Sequence, residues 1–444
     1  MLLTIEKLIY GGDGLARLPA DAHGRGKAVF VPFVLAGEKV EASLTEQKPG
    51  FARANAVAII TPSLHRVPPA CPYFGQCGGC SYQHASYEHQ LEIKKEILRE
   101  TLRRTAKIEL PCEIQVHASP PWNYRNRSRL QLQTQPAFAA GYFKLGSHEL
   151  LPVEECPISS PLINRAIAAL WQSGRAGKVP EGVHEVEFFA NADDSRLLVE
   201  LSCGVESRRS AVQTWAEEFR AAMPEVGCVV AFRAAKSGTR GQQEKLFAVG
   251  VPYLAYQTQR GAYRVSAGSF FQTNRHLTDE LVRIVTEGMS GDLALDLYAG
   301  VGLFSTALAC DFHHIVSVES SQLSSADLSY NQPSNGEAVQ ATTEQYLARV
   351  ENSGRVGKGT VLPHIFHKPD LAVVDPPRSG LGERVARLLA NLSAPRLTYV
   401  SCDPATLARD LVHLLAAGYR LEQVHLVDLF PQTFHLESVV RLVR

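Results

Sequence analysis

The sequence lacks net charge. Lys and Arg total 45 and Asp and Glu total 45. A nucleic-acid binder held by bulk charge alone is basic, so that class is excluded, whereas a partner gripped through local basic patches is not. No run of about 18 or more apolar residues occurs, so no membrane span is expected. The N-terminus, MLLTIEK, lacks a charged region followed by a long apolar stretch, which argues against a secretory leader and for a cytoplasmic protein. Internal repeats and low-complexity tracts are missing too. The cysteines number nine, an odd count at uneven spacing, and that excludes a regular disulfide framework.

What is present is a folded, many-part chain. At 444 residues, 45% hydrophobic and 20% charged, it predicts two to four domains. Residues 1–62 read as a small β-barrel. Short apolar segments (KAVFVPFVL, EKVEASL, ANAVAII) alternate with Gly-, Pro- and charge-rich turns. The Pro-rich stretch TPSLHRVPP follows as a linker. Residues 63–255 form a β-rich central part. It opens with a cysteine cluster and a helix over 86–105, which packs either there or on the catalytic part. Ser86 is that helix's N-cap, Tyr87, Leu91, Leu98 and Leu102 keep its apolar period, and Lys94, Lys95, Arg99, Arg103 and Arg104 are placed on the surface. Another amphipathic helix is expected near 160–173. From 256 to 444, strands and helices alternate in the pattern of a doubly wound parallel sheet.

The strand LALDL runs into Tyr298-Ala299-Gly300-Val301-Gly302, where glycines let a ligand approach the backbone. Ser305 stands where a dinucleotide fingerprint needs its third glycine. Glu319, closing the next strand, is placed to bind ribose hydroxyls. A carboxylate beside an open glycine turn suits a nucleoside cofactor without phosphates, such as S-adenosylmethionine. Asp375 ends the following strand before two prolines, at the crevice where open sheets bind ligands. Cys402, in Ser401-Cys402-Asp403-Pro404, ends the next one at the same crevice.

A methyl donor beside a cysteine has a chemical reason. Carbon 5 of uracil is too electron-poor to take a methyl group. Adding a thiolate to carbon 6 makes an enolate and turns carbon 5 into a nucleophile, and a base must then remove the carbon 5 proton. Glu437, in an apolar setting, is the candidate base and His435 its competitor. Taken together these residues resemble the RNA uracil-5 methyltransferase family. SFFQTN, DLYAGVGLFS, DPPRSGL, SCDPATLARDL and FPQTFHLESVV match its successive motifs in order. The resemblance implies a doubly wound methyltransferase domain using S-adenosylmethionine, with Gln272, Tyr298, Glu319 and Asp375 on the cofactor, Cys402 as nucleophile and Glu437 as base. Nothing is assigned around Gln340 to Glu344, where this sequence departs from the family.

Cys71, Cys77 and Cys80 resemble the iron–sulfur motif of the family's ribosomal-RNA branch, with Cys156 in EECPIS as fourth ligand. Four thiolates suit a 4Fe–4S cluster; spacing alone suits structural zinc equally, and a disulfide is the third option. The remaining Cys112, Cys203, Cys228 and Cys310 are expected as small buried hydrophobes. Residues 1–62 resemble the TRAM barrel, an OB-like RNA-binding module. The stretch Trp122 to Arg129, two aromatics among three arginines, is expected on a strand where it contacts RNA. The partner expected is structured RNA, 23S ribosomal RNA first and transfer RNA second, with no membrane and no obligate protein partner: a monomer. The rivals are an adenine-type amino-methyltransferase, in which an aromatic would replace Arg378, and a non-catalytic iron–sulfur RNA-binding protein.

Overall fold

The computed structural model describes residues 1–18, 26–233, 244–353 and 368–444. Six short strands between Leu2 and Thr61 form the first sheet, in the order Leu2–Thr4, Lys39–Gln47, Phe51–Thr61, Ala28–Val31, Gly14–Arg17, Lys7–Leu8. Strict alternation along Lys39–Gln47 and Ala28–Val31 turns small residues inward. Val29, Val31, Val40, Ala42, Ala52 and Ala54 make a core narrow enough for a barrel of this size.

The central sheet has seven strands, ordered Leu150–Pro152, Ala139–Phe143, Arg127–Gln133, Val183–Ala190, Leu197–Cys203, Val226–Arg233, Glu244–Gly250. Helices Pro161–Arg175 and Arg209–Ala222 share its core. The first starts where Ser160 Oγ accepts from Ile163 N and Pro161 fills the first turn, which needs no amide donor.

The catalytic sheet has eight strands: Gly336–Gln340, Phe312–Glu319, Gly291–Leu297, Leu371–Val374, Arg396–Ser401, Glu437–Val443, Arg420–Val427 and Ile114–His117. All pairings are parallel except those of Glu437–Val443, which runs against both its neighbours. Strand residues alternate between two cores. Leu293, Leu295 and Leu297 face helices Tyr87–Thr101, Gly382–Leu392 and Pro404–Ala416, whereas Ala294 faces Thr278–Thr286, Leu303–Leu308 and the hairpin Tyr253–Ser266. The sheet is thereby covered on both sides, as a parallel sheet requires. No helix among the described residues is long and apolar enough to cross a membrane.

Two features depart from the sequence reading. Strand Ile114–His117, assigned to the central part, pairs with Arg420–Val427 and extends the catalytic sheet. Lys94, placed on the surface, is completely buried. Its Nζ lies 2.6 Å from Asp428 Oδ1 and donates to Phe430 O at 2.9 Å. The helix turns this lysine inward because a buried carboxylate waits there. At its C-terminal end the helix widens into a π-turn over Leu102–Ala106.

Candidate active site

The glycine turn after Gly291–Leu297 is built by backbone conformation. Tyr298 has φ 64°, Gly300 57° and Gly302 95°, all left-handed. For tyrosine this carries strain of roughly 1–3 kcal/mol, held by the surrounding structure. A Cβ added at Gly300 would meet nothing within 4 Å, so the turn opens onto free space. Gly300 N donates to Glu319 Oε2 at 2.9 Å, and Glu319 Oε1 accepts from Ser321 N at 2.6 Å. One carboxylate thus ties the turn to the start of the next helix while remaining half-exposed.

Ser305, in place of a third glycine, donates to buried Asp296 and accepts from Ser317 at 2.8 Å. Among the described residues Asp296 Oδ1 has no hydrogen-bond partner, and burial pushes the carboxyl up to about 6. Asp375 is pushed up to about 7, first by burial and then by Asp296 on the adjoining strand. The raised values mark negative charge that no neighbouring cation balances. Gln272 is half-buried in the loop that follows Ser266 and Ser269. Both serines hydrogen-bond Asp327 at 2.7 Å, on the helix Gln322–Asn331 just beyond Glu319. That fixes the loop of Gln272 beside the helix that follows Glu319.

Antiparallel pairing places the second half of the site. Ser401 pairs with Ser438, and Cys402 and Glu437 are the residues next to that pair in the chain, near enough for Glu437 to act on the thiol. Asp403 caps the helix that follows, its Oδ1 accepting from Ala405 N and Thr406 N at 2.9 Å each. The Cys402 thiol is pushed up to about 12 by burial, then by Glu437 and Asp375, against the pull of Arg378. Glu437, 6% exposed, is raised well above the usual carboxylate value, first by burial and then by Asp375. His435 is lowered to about 4 by burial and by the cations Arg378, Lys94 and Arg125, so it is neutral near pH 7.

The loop before Glu437 is clamped from outside. Ser81 N and Tyr82 N both donate to Gln432 O at 3.0 Å. Gln90 bonds Gln432 through side chain and backbone, and Tyr124 Oη donates to Pro431 O at 3.0 Å. Asn274 reaches Leu429 O at 3.1 Å. These clamps come from residues hundreds of positions away, which no local pattern in the sequence announces.

Cys71, Cys77, Cys80 and Cys156 line one cavity of about 180 Å³ with Tyr142, Arg125 and Arg129. All nine cysteines are free thiols, so no disulfide joins them. Among the described residues, no three His, Cys, Asp or Glu side chains stand close enough together to hold a metal ion. The expected 4Fe–4S or zinc centre is therefore not shown, although its four expected ligands share one cavity. The arginine stretch also differs from expectation. Tyr124 and Asn126 are fully buried, Arg127 stacks on Phe189 at 4.2 Å, and Arg129 pairs with Glu187 at 2.9 Å, so the strand is largely spent on internal contacts. Cys203 and Cys228 are buried, but Cys112 is half-buried and Cys310 exposed.

An open sheet with a glycine turn, an acidic strand end and paired carboxylates at one crevice defines a doubly wound methyltransferase. The chain belongs to the tRNA (uracil-5-)-methyltransferase family, whose model matches residues 86–444, with a TRAM domain over 1–57; it is an S-adenosylmethionine-dependent RNA uracil-5 methyltransferase. It is 32% identical over 448 residues to an uncharacterized RNA methyltransferase of Aquifex aeolicus, covering 99% of this chain and 97% of the relative. It is also 32% identical over 448 residues to a protein of Chromohalobacter salexigens named 23S rRNA (uracil(1939)-C(5))-methyltransferase RlmD, covering 100% and 89%. Among solved structures, a Pyrococcus abyssi tRNA (uracil-54, C5)-methyltransferase in complex with S-adenosyl-L-homocysteine superposes with a TM-score of 0.74 at 22% identity, covering all of both chains, and so shares the fold.

Proposed function

We propose that the chain methylates carbon 5 of a uridine in 23S ribosomal RNA through a covalent Cys402–uracil adduct. The carrying observation is that Cys402 and Glu437 adjoin the paired residues Ser401 and Ser438, with Asp375 and Arg378 acting on both. S-adenosylmethionine supplies an electrophilic methyl group carried on a sulfonium cation. Tyr298, Glu319, Asp375 and the loop of Gln272 would hold it, Glu319 at the ribose and Asp375 with Asp296 toward the positive charge. The Cys402 thiolate would add to carbon 6 of the extruded base, and carbon 5 would take the methyl group as the sulfur–methyl bond of the donor breaks and leaves a neutral thioether. Glu437 removes the carbon 5 proton, the carbon 6–sulfur bond breaks, and the thiolate is restored. A buried carboxylate whose proton affinity is raised is a stronger base than His435, held near 4.

The test is an RNA carrying 5-fluorouridine at the target. Fluorine at carbon 5 cannot leave as a proton, so a stable protein–RNA adduct forms at Cys402; a good substrate that forms none overturns the mechanism. The ribosomal assignment is supported by the Chromohalobacter relative. Transfer RNA is the second reading, favoured by the tRNA-directed family model and the Pyrococcus structure. Mapping which methyluridine disappears from cells lacking the protein decides between them.

The donor set of Cys71, Cys77, Cys80 and Cys156 around one cavity fits a 4Fe–4S cluster, with zinc as the alternative. Such a group would clasp loop 71–80 to residue 156 and takes no part in methyl transfer. Iron and acid-labile sulfide near four each per chain, lost in Cys156→Ser, would support the cluster; zinc without sulfide would replace it.

A further inference from the structure

We propose that Tyr10, on the first hairpin of the N-terminal barrel, is a positioning residue for the nucleophile. Its hydroxyl donates to the backbone carbonyl of Cys402 and fixes where the thiol meets the pyrimidine. The proposal rests on Cys402 being the nucleophile, and its test separates the two ideas.

The contact spans 392 positions of sequence: Tyr10 Oη lies 3.2 Å from Cys402 O. The Tyr10 ring stands edge-on to Phe434, centroids 5.7 Å apart, and Phe434 packs on His435 at 4.3 Å. The turn that carries it is closed by Ile9 N to Asp13 O at 3.0 Å and by Gly12 N to Ile9 O at 3.1 Å. Gly12 has φ +96°, and a Cβ there would sit 3.1 Å from Ser81 Cβ and 3.5 Å from Phe434 Cβ. The turn is therefore wedged between the cysteine-rich segment and the catalytic loop, and only glycine fits it. Burial and the neighbouring Asp403, Cys402 and Glu437 hold the phenol well above its usual value, so the hydroxyl keeps its proton and donates.

A donor on this carbonyl does two things. It fixes the peptide plane between Cys402 and the helix cap Asp403, from which the thiol projects. It also offsets the negative end of the carbonyl dipole beside a sulfur that must become an anion while Glu437 and Asp375 oppose it and Arg378 and a backbone hydrogen bond at residue 402 assist. The barrel thereby enters the chemistry itself and does more than hold RNA.

Tyr10→Phe in the full chain keeps the ring on Phe434 and removes only the donor. With 5-fluorouridine RNA under single-turnover conditions, the adduct rate should fall roughly threefold to tenfold, the loss of one hydrogen bond. Adduct amplitude and the KM for RNA should stay within twofold. Alkylation of Cys402 by iodoacetamide in the RNA-free protein, read by mass spectrometry, should slow and shift its pH profile to the alkaline side. Amplitude reports the folded fraction, so a variant that only folds poorly loses amplitude at unchanged rate, and that result overturns the proposal. A raised KM with an unchanged rate makes Tyr10 an RNA contact and overturns it too. If the wild type itself forms no adduct, the nucleophile assignment falls first.

Discussion

Five of the nine cysteines occupy two sites, and their neighbours differ. Cys402 stands alone among charges, with Glu437, Asp375 and Arg378 in reach. Cys71, Cys77, Cys80 and Cys156 stand together, each mainly under the influence of burial and of the other thiols where shifts occur; Cys80 is pushed up to about 12. Both sites hold thiols of high pKa. The difference lies in what lowers it: at Cys402 the cation Arg378 and a backbone hydrogen bond, at Cys71, Cys77 and Cys80 hydrogen bonds with Gln83 and backbone amides and no cation. A thiol's function is set by the charges around it, and cysteine spacing alone does not reveal them.

The comparison breaks most sharply on deletion of the single thiol. Cys402→Ala should lower turnover by about 10⁴-fold or more, while S-adenosylmethionine titrated calorimetrically binds within about twofold of wild type. Retained turnover would return the amino-methyltransferase reading. Glu437→Gln should still attack the ring but fail to release it. It should lower kcat by about 10²–10⁴-fold, with adduct accumulating on denaturing gels from unmodified RNA; loss of the adduct as well would make Glu437 necessary for attack. Lys94→Ala, which strands Asp428 in the wall behind the site, should cost about 3–5 kcal/mol in urea unfolding, and replacing both partners by apolar residues should restore most of it.

A smaller effect follows from pH. The folded chain keeps protons on Asp375, at about 7, and Asp296, at about 6, that an unfolded chain releases near 3.8. Between about pH 4 and pH 7 the folded state binds more protons, so these groups cost stability as pH rises. Asp375→Asn should remove about 1–2 kcal/mol of that decline, read as urea midpoints at pH 5 and pH 7.5. The smallest change belongs to a thiol in neither site. Cys310→Ser, on the exposed surface, should alter stability by less than about 0.5 kcal/mol and leave the rate as it was.

The crevice was legible because its signals are local: apolar strands ending in Gly, Asp-Pro-Pro or Cys-Asp-Pro mark carboxyl ends of strands whatever lies elsewhere. Ser86 was legible as a cap for the same reason. Lys94 was not, because amphipathic patterning assigns lysine to water and its partner Asp428 lies 334 positions on. Arg127 read as an RNA contact because its partners Glu187 and Phe189 lie on another strand, about 60 positions on. Tyr10 carried no signal, since the contact with Cys402 arises only when barrel and catalytic loop meet.

The pairing of Ile114–His117 with Val424–Val427 has a consequence for any attempt to isolate the catalytic part. A fragment cut at residue 256 keeps every motif yet bares the backbone donors and acceptors of its outermost strand, an invitation to stick to other chains. The same cut strips Lys94 from Asp428 and abandons a buried anion. Excision should therefore begin before Tyr87 and bring the intervening domain along, for the methyl-transferring half of this molecule is threaded through the rest.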